Sequence, residues 1–248
     1  MPALDWLTAR PIAHRGLHDV AHGVVENTPS AFEAAIDGRY GIECDLQINA
    51  DGEAMVHHDF ALGRLTQGEG PLANKTTVEL KAVDFNATAD HMITLGDLCE
   101  LVAGRAPLVL ELKSKFDGDE RLVTRVANVL RSYDWPVAVM SFDPEVVAQL
   151  RHAAPQLTRG IVAERWYSEA EWDWLTWAQR QGLAHLLHFM RSHPQFVAYS
   201  VHDLPTAATS IARNLFRCPL LTWTVRTEEE RRNASDHASQ MIFEGFRA

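Results

Sequence analysis

The sequence predicts an α/β fold in which eight parallel strands close into a (β/α)₈ TIM barrel. Three observations carry that prediction. Short apolar runs alternate with amphipathic segments along nearly the whole chain, the pattern of crossover units and a parallel sheet. Eight apolar runs can be counted. The length, 248 residues, suits one barrel domain spanning 1–248.

The strands are expected near 10–13 (RPIA), 41–48 (GIECDLQI), 107–113 (PLVLELK), 137–141 (VAVMS), 159–163 (RGIVA), 196–201 (FVAYSV), 219–224 (PLLTWT) and 240–243 (QMIF). Helices are expected near 28–37, 94–104, 119–133, 143–153, 168–190, 203–214 and 227–237. Thr28-Pro29 and Asp143-Pro144 each read as an N-cap followed by proline at the first helical position. The second strand is followed by about 45 residues before the next helix, where barrel loops usually run to roughly six. That segment, about 51–91, reads as a hairpin turning at Asp51-Gly52 plus a small insertion on the top face, where such insertions shape substrate pockets.

Composition narrows the function. Hydrophobic residues make up 46% and charged residues 23%, enough for a full core. Lys plus Arg is 23 against 33 Asp plus Glu, so the formal charge is −10. Such a surface repels nucleic acid and anionic membranes. The three cysteines are far apart, which speaks against a disulfide framework or a thiolate zinc site. The start of the chain has no signal-peptide pattern, and no run is long enough to span a membrane, so a cytoplasmic protein is expected.

Four clusters sit at expected strand ends, where barrel active sites are assembled. The first is Ala13-His14-Arg15-Gly16. The second is Glu43 and Asp45, two apart on one face of a strand, with Ile42, Cys44 and Leu46 on the other. Two acids aimed into a barrel repel each other, and a bound cation is the simplest compensation; Mg²⁺ and Ca²⁺ prefer such oxygen ligands. The third is His57-His58-Asp59. With Asp51-Gly52 as a two-residue turn, Asp45 lies opposite His58, and a slip of one would exchange the two histidines. The fourth is Glu111 and Lys113 in LELK, on one face of the neighbouring strand. Glu111 can complete a three-carboxylate site. Arg15 and Lys113 offer charge to a phosphate, and His14 and His58 can move protons near neutral pH. Together these would suit cleavage of a phosphodiester P–O bond. The carboxylates could instead be structural ion-pair partners of Arg15 and Lys113. His14, His18 and His22 recur every four residues, but the glycines around them indicate a loop, not a zinc-binding helix; His18 and His22 are expected at the pocket rim.

In order and spacing, AHRG, ENTPSAF, ECDLQINADGEAMVHHD, LELK and LTWTV resemble the motifs of the glycerophosphodiester phosphodiesterases, from about residue 11 to the C-terminal FEG. The resemblance implies a TIM barrel with an insertion after strand two. It implies hydrolysis of glycerophosphodiesters, such as glycerophosphocholine or glycerophosphoethanolamine, to sn-glycerol 3-phosphate and an alcohol. Carried over by motif, His14 and His58 look like the acid/base pair, with His14 favoured as base. Glu43, Asp45 and Glu111 look like ligands of one divalent cation, Mg²⁺ or Ca²⁺. Arg15 and Lys113 look like phosphate contacts. Glu26 and Asn27 match the residues that shape the site near the HRG turn, and Trp223 would line the glycerol side. Where the family motif ends in asparagine this chain has Arg226, a departure expected to bear on substrate fit and not on the histidines or metal ligands.

The alternatives are a lysophospholipase D-like enzyme acting on longer lipids, a metal-dependent barrel isomerase or aldolase, and an inactive binding protein. The tryptophan-rich segment SEAEWDWLTWAQR is expected to be an outer barrel helix packed on the core, with a homo-oligomer contact as the other interpretation.

Overall fold

The aliphatic runs form strands at the expected places in the computed structural model, which describes residues 4–168 and 172–248. β1 (Ile12–Ala13) is followed by α2 (Pro29–Asp37), β2 (Gly41–Ile48) and the short β3 (Ala54–Val56); a first helix, α1 (Asp5–Thr8), precedes them. Then come α3 (Thr77–Lys81), α4 (Leu95–Val102), β4 (Leu108–Leu112), α5 (Arg121–Leu130), β5 (Val137–Ser141) and α6 (Pro144–Ala153). β6 (Thr158–Ala163), α7 (Trp177–Ala184), α8 (Phe189–Ser192), β7 (Phe196–Ser200), α9 (Ala207–Asn214), β8 (Leu220–Val225), α10 (Glu228–His237) and β9 (Gln240–Phe243) complete the chain. β1 pairs with β2 on one side and β9 on the other, so the parallel strands close into a barrel. β3 lies antiparallel on β2.

Alternation along the strands builds two apolar layers. Leu108, Leu110 and Leu112 join Ile42, Cys44 and Leu46 against the helices. Val109, Ala138, Met140, Val162, Phe196, Ala198, Leu221 and Ile242 fill the barrel interior. α1 adds Leu7 to that interior, with Leu4 and Trp6 packed beside it, and Gln240 at the start of β9 donates to the Thr8 carbonyl at 3.0 Å. The N-terminal end of the barrel is therefore floored by side chains. Phe196 needs the space over Gly160, where a Cβ would lie 2.3 Å from its ring.

Helix starts follow their caps. Asp143 accepts from the Glu145 amide at 2.8 Å with Pro144 behind it. Thr28 precedes Pro29 as expected, but its hydroxyl donates to the Val25 carbonyl and does not cap the helix. α9 starts later than the expected 203, because Thr206 forms the cap there.

The hairpin after β2 departs from the expected register. Leu46 pairs with Val56 and Ile48 with Ala54, so Asp45 falls opposite His57, not His58. The turn holds three residues, Ala50-Asp51-Gly52. Gly52 takes a φ of +77°, and the Asn49 side chain accepts from the Glu53 amide. Three-residue loops of this kind end in a left-handed residue, for which glycine is suited. The strand ladder ends at Val56. Beyond it, His57 is buried and His58 reaches the barrel mouth, its carbonyl held by the Gln47 side chain.

The insertion has its own small core. Leu62, Leu72, Leu80, Phe85 and Met92 pack with Val25 and Met55, and Thr76 and Glu79 form a capping box for α3.

The tryptophan segment is not one outer helix. Part of the expected helix, 169–171, lies outside the described residues. Trp172 and Leu175 precede α7 and pack with Tyr167 and Leu183. Trp172 and Trp174 turn towards the barrel mouth, while Trp166 and Trp177 stay exposed. Among the described residues, no helix is long and apolar enough to cross a membrane.

Candidate active site

The C-terminal ends of the strands open into a cavity of about 330 Å³. His14, Arg15, Glu43, His58, Glu111, Lys113 and Trp223 all line it. Its construction starts with the turn after β1. Arg15 and Asn27 both take left-handed backbone, and the Asn27 amide donates to the Arg15 carbonyl at 2.9 Å. Gly16 follows, also left-handed, because a Cβ there would meet Ala31 backbone and side chain at 2.8 Å. The HRG and ENT segments are thus two halves of one folded corner.

The corner fixes the carboxylates. Asn27 donates to Asp45 Oδ2 at 2.9 Å and accepts from the Asp45 amide. The Arg15 amide donates to Glu43 Oε2 at 3.0 Å. Asp45 stands beside Glu111 across the β2–β4 ladder. Oxygens of Glu43, Asp45 and Glu111 lie within 4.8 Å of one another, and all three residues are buried.

Two cations already serve this group. Lys113 Nζ lies 3.0 Å from Asp45 Oδ1 and 2.7 Å from Glu111 Oε1. Arg15 Nε lies 3.2 Å from Asp45 Oδ2, while its Nη1 donates to Glu26 at 2.7 Å. Burial alone would raise the Asp45 carboxyl, but Lys113 and Arg15 outweigh it and hold it well below its usual range. Glu43 goes the other way. Burial, then the charges of Asp45 and Glu111, push it well above its usual value, and Arg15 does not cancel them. Ion pairing with Arg15 and Lys113 therefore satisfies Asp45 and Glu111 but leaves Glu43 a costly anion. An all-oxygen donor set with one uncompensated carboxylate fits a hard divalent cation, and these three residues could hold one.

Each histidine rests on a carboxylate. His14 Nδ1 lies 2.5 Å from Glu244 Oε2. A carboxylate only accepts, so Nδ1 carries the proton and Nε2, 4.0 Å from Glu43, faces the cavity. Burial lowers the His14 pKa by more than Glu244 raises it, which favours the neutral ring. His58 Nδ1 lies 2.8 Å from Asp59 Oδ1. Arg64 from the insertion binds Asp59 at 2.6 Å and Glu26 at 2.7 Å, tying the insertion to the corner.

Glu244 was not singled out by the sequence, where it is one acid after β9 within FEG. Only barrel closure, which brings β9 beside β1, reveals it. It also revises the expectation for Arg226. Nε of Arg226 binds Glu244 Oε1 at 2.6 Å, so this departure from the family motif does reach a histidine, through one carboxylate. His18 Nε2 approaches the same carboxylate at 3.5 Å, whereas His22 points into solvent and pairs with Asp19. The Trp223 ring packs edge-on against Phe142, and among the described residues its buried Nε1 has no hydrogen-bond partner.

The chain is 30% identical over 161 residues to a glycerophosphodiester phosphodiesterase of Caldanaerobacter subterraneus subsp. tengcongensis, covering 61% of this chain and 65% of that protein. It is 27% identical over 168 residues to glycerophosphodiester phosphodiesterase 1 of Bos taurus, covering 62% of this chain but 49% of the relative. The match thus spans under two thirds of either relative's length. The fold superposes on an Oleispira antarctica phosphodiesterase solved with the product sn-glycerol-3-phosphate, with a TM-score of 0.77 over 96% of this chain and 94% of that one, at 18% identity. The model of the glycerophosphoryl diester phosphodiesterase family matches residues 14–243, nearly the whole barrel, and the chain belongs to that family.

Proposed function

We propose that this chain hydrolyses glycerophosphodiesters to sn-glycerol 3-phosphate and an alcohol. The observation that carries the proposal is that two carboxylate-held histidines line one cavity with Glu43, Glu111, Arg15 and Lys113, with Asp45 oxygens within 4.8 Å of both glutamates. Bound to Glu43, Asp45 and Glu111, a divalent cation, Mg²⁺ or Ca²⁺, would draw charge from the phosphoryl oxygens. Arg15 and Lys113 hold the phosphate from the same side. His14 Nε2 takes the proton of the attacking oxygen, either water or the glycerol 2-hydroxyl, as the new P–O bond forms. Protonated His58 gives a proton to the leaving alkoxide as the old P–O bond breaks. Glu26 and Asn27 support the corner, and Trp223 lines the glycerol side.

The whole chain acts as one catalytic unit, because the insertion at about 51–91 brings His58 to the barrel cavity, with Asp59 and Arg64 holding it from behind. We place the protein in the cytoplasm, on its acidic charge and three free cysteines, and expect small-molecule substrates with neither nucleic acid nor membrane as partner. A lysophospholipase D would need an apolar path on the glycerol side. Near Trp223 the cavity carries Ser200, His202 and Arg226 as well as Phe142, a mixed lining that suits a short polar glycerol diester better than a long chain.

The test is release of glycerol 3-phosphate from glycerophosphocholine and glycerophosphoethanolamine with Mg²⁺, Ca²⁺ or EDTA. Turnover that EDTA abolishes supports the reaction and the cation. No release from several head groups with any cation rejects it.

A further inference from the structure

A second lobe, about 180 Å³, opens off the main cavity. It shares His58, Glu111, Lys113, Phe142 and Trp172 with the first, but not His14. Its outer walls are aromatic. Trp172 packs on Phe142 with ring centroids 4.9 Å apart, Trp174 meets Phe116 at 5.0 Å, and Phe60 from the insertion closes the far side. Phe60 and Trp174 are 42% and 48% exposed, a large apolar area to leave in water beside a polar site.

Position gives this lobe a direction. In-line displacement at phosphorus puts the attacking and leaving oxygens on opposite sides. His14 stands with Trp223 and Arg226 in the main cavity, and the aromatic lobe is reached by His58 alone. We propose that this lobe is the leaving-alcohol subsite and that it selects an uncharged alcohol with an apolar body, of benzyl or short-alkyl size. The assignment rests on the hydrolysis proposed above.

Charge argues for a neutral occupant. Lys115 Nζ already sits 5.2 Å above the Phe60 ring, and Lys113 stands at the inner end. The nearby carboxylates are engaged: Asp59 by His58 and Arg64, Glu111 by Lys113. A quaternary ammonium would meet the Lys115 ammonium and find the Phe60 face taken, whereas an apolar group gains ring contact without that cost.

The experiment compares diesters of sn-glycerol 3-phosphate with ethanol, benzyl alcohol and choline, in the wild type, Trp174→Ala and Phe60→Ala. Both substitutions are at half-exposed positions, so the fold survives. The expected kcat/KM for the benzyl diester exceeds that for the ethyl diester by roughly tenfold or more. Each variant loses most of that ratio while keeping ethyl turnover within about threefold. Equal ratios in wild type and variants, with ethyl turnover intact, overturn the subsite and leave the hydrolysis standing. A preference for choline that the variants abolish overturns the neutral occupant. No turnover of any diester overturns both proposals.

Discussion

The two histidines are built alike and placed differently. His14 ends a barrel strand, and its carboxylate, Glu244, ends the neighbouring strand, so the pair is fixed by the hydrogen-bonded closure of the sheet. His58 comes from the insertion, and its carboxylate is the next residue, Asp59, steadied by Arg64. One dyad belongs to the scaffold and the other to an appended segment. The difference suggests a division of labour. On the proposed reaction, the barrel would hold the step common to every substrate, and the segment would meet the part of the substrate that varies.

The sharpest way to break that comparison is to remove each ring. His14→Ala should lower kcat by about 10³-fold, within the usual range for a general base, whatever the leaving group. His58→Ala should cost about as much for an alkoxide but far less for a nitrophenolate, which needs no proton to depart. Equal losses on both substrates for both variants, read in steady-state assays, would remove the assigned roles.

Next in size are the supporting carboxylates. Glu244→Gln should cost about 10- to 100-fold in kcat with little change in KM, as is usual for groups that orient a functional imidazole. Asp59→Asn should cost less, because His58 is the adjacent residue and Arg64 also holds that carboxylate group, so the ring keeps its place through the local chain. The reverse order would mean that the insertion holds its histidine more firmly than the barrel does.

A stability difference follows from the same carboxylates. Burial would raise both Glu244 and Asp59, but the hydrogen bond from His14 with His18 close by, and the hydrogen bonds from His58 and Arg64, outweigh it and lower both well below their usual range. A carboxyl lowered by folding contributes stability above its unfolded value, near pH 4, and that contribution is lost as pH falls further. Urea unfolding between pH 5 and 3 should therefore show a falling midpoint in the wild type and a shallower fall in Glu244→Gln and Asp59→Asn. The smallest effect belongs to Arg64→Ala. Its ion pairs are half exposed and should be worth under about 1 kcal/mol in the same unfolding experiment.

The barrel was legible in the sequence because each of its eight strands is an apolar run bounded by turn residues, and parallel strands buried on both faces leave that signature. Glu43, Asp45, Glu111 and Lys113 were legible as pairs because a spacing of two in such a strand fixes a common face. The hairpin register was not. Asp51-Gly52 reads equally as a two-residue turn or as the end of a three-residue one, and only the Asn49 side chain on the Glu53 amide decides it. Glu244 was hidden because its partner lies 230 residues away. The tryptophan segment misled because aromatic spacing alone does not distinguish a helix face from a loop folded over a barrel mouth.

The floor laid by Leu7 has a consequence for traffic. Among the described residues, a barrel stoppered at one end is a well, so on the proposed reaction substrate would arrive and products depart through the same mouth. If the proposed reaction holds, glycerol 3-phosphate left in the well would compete with the next substrate at that opening, and output would slow its own production.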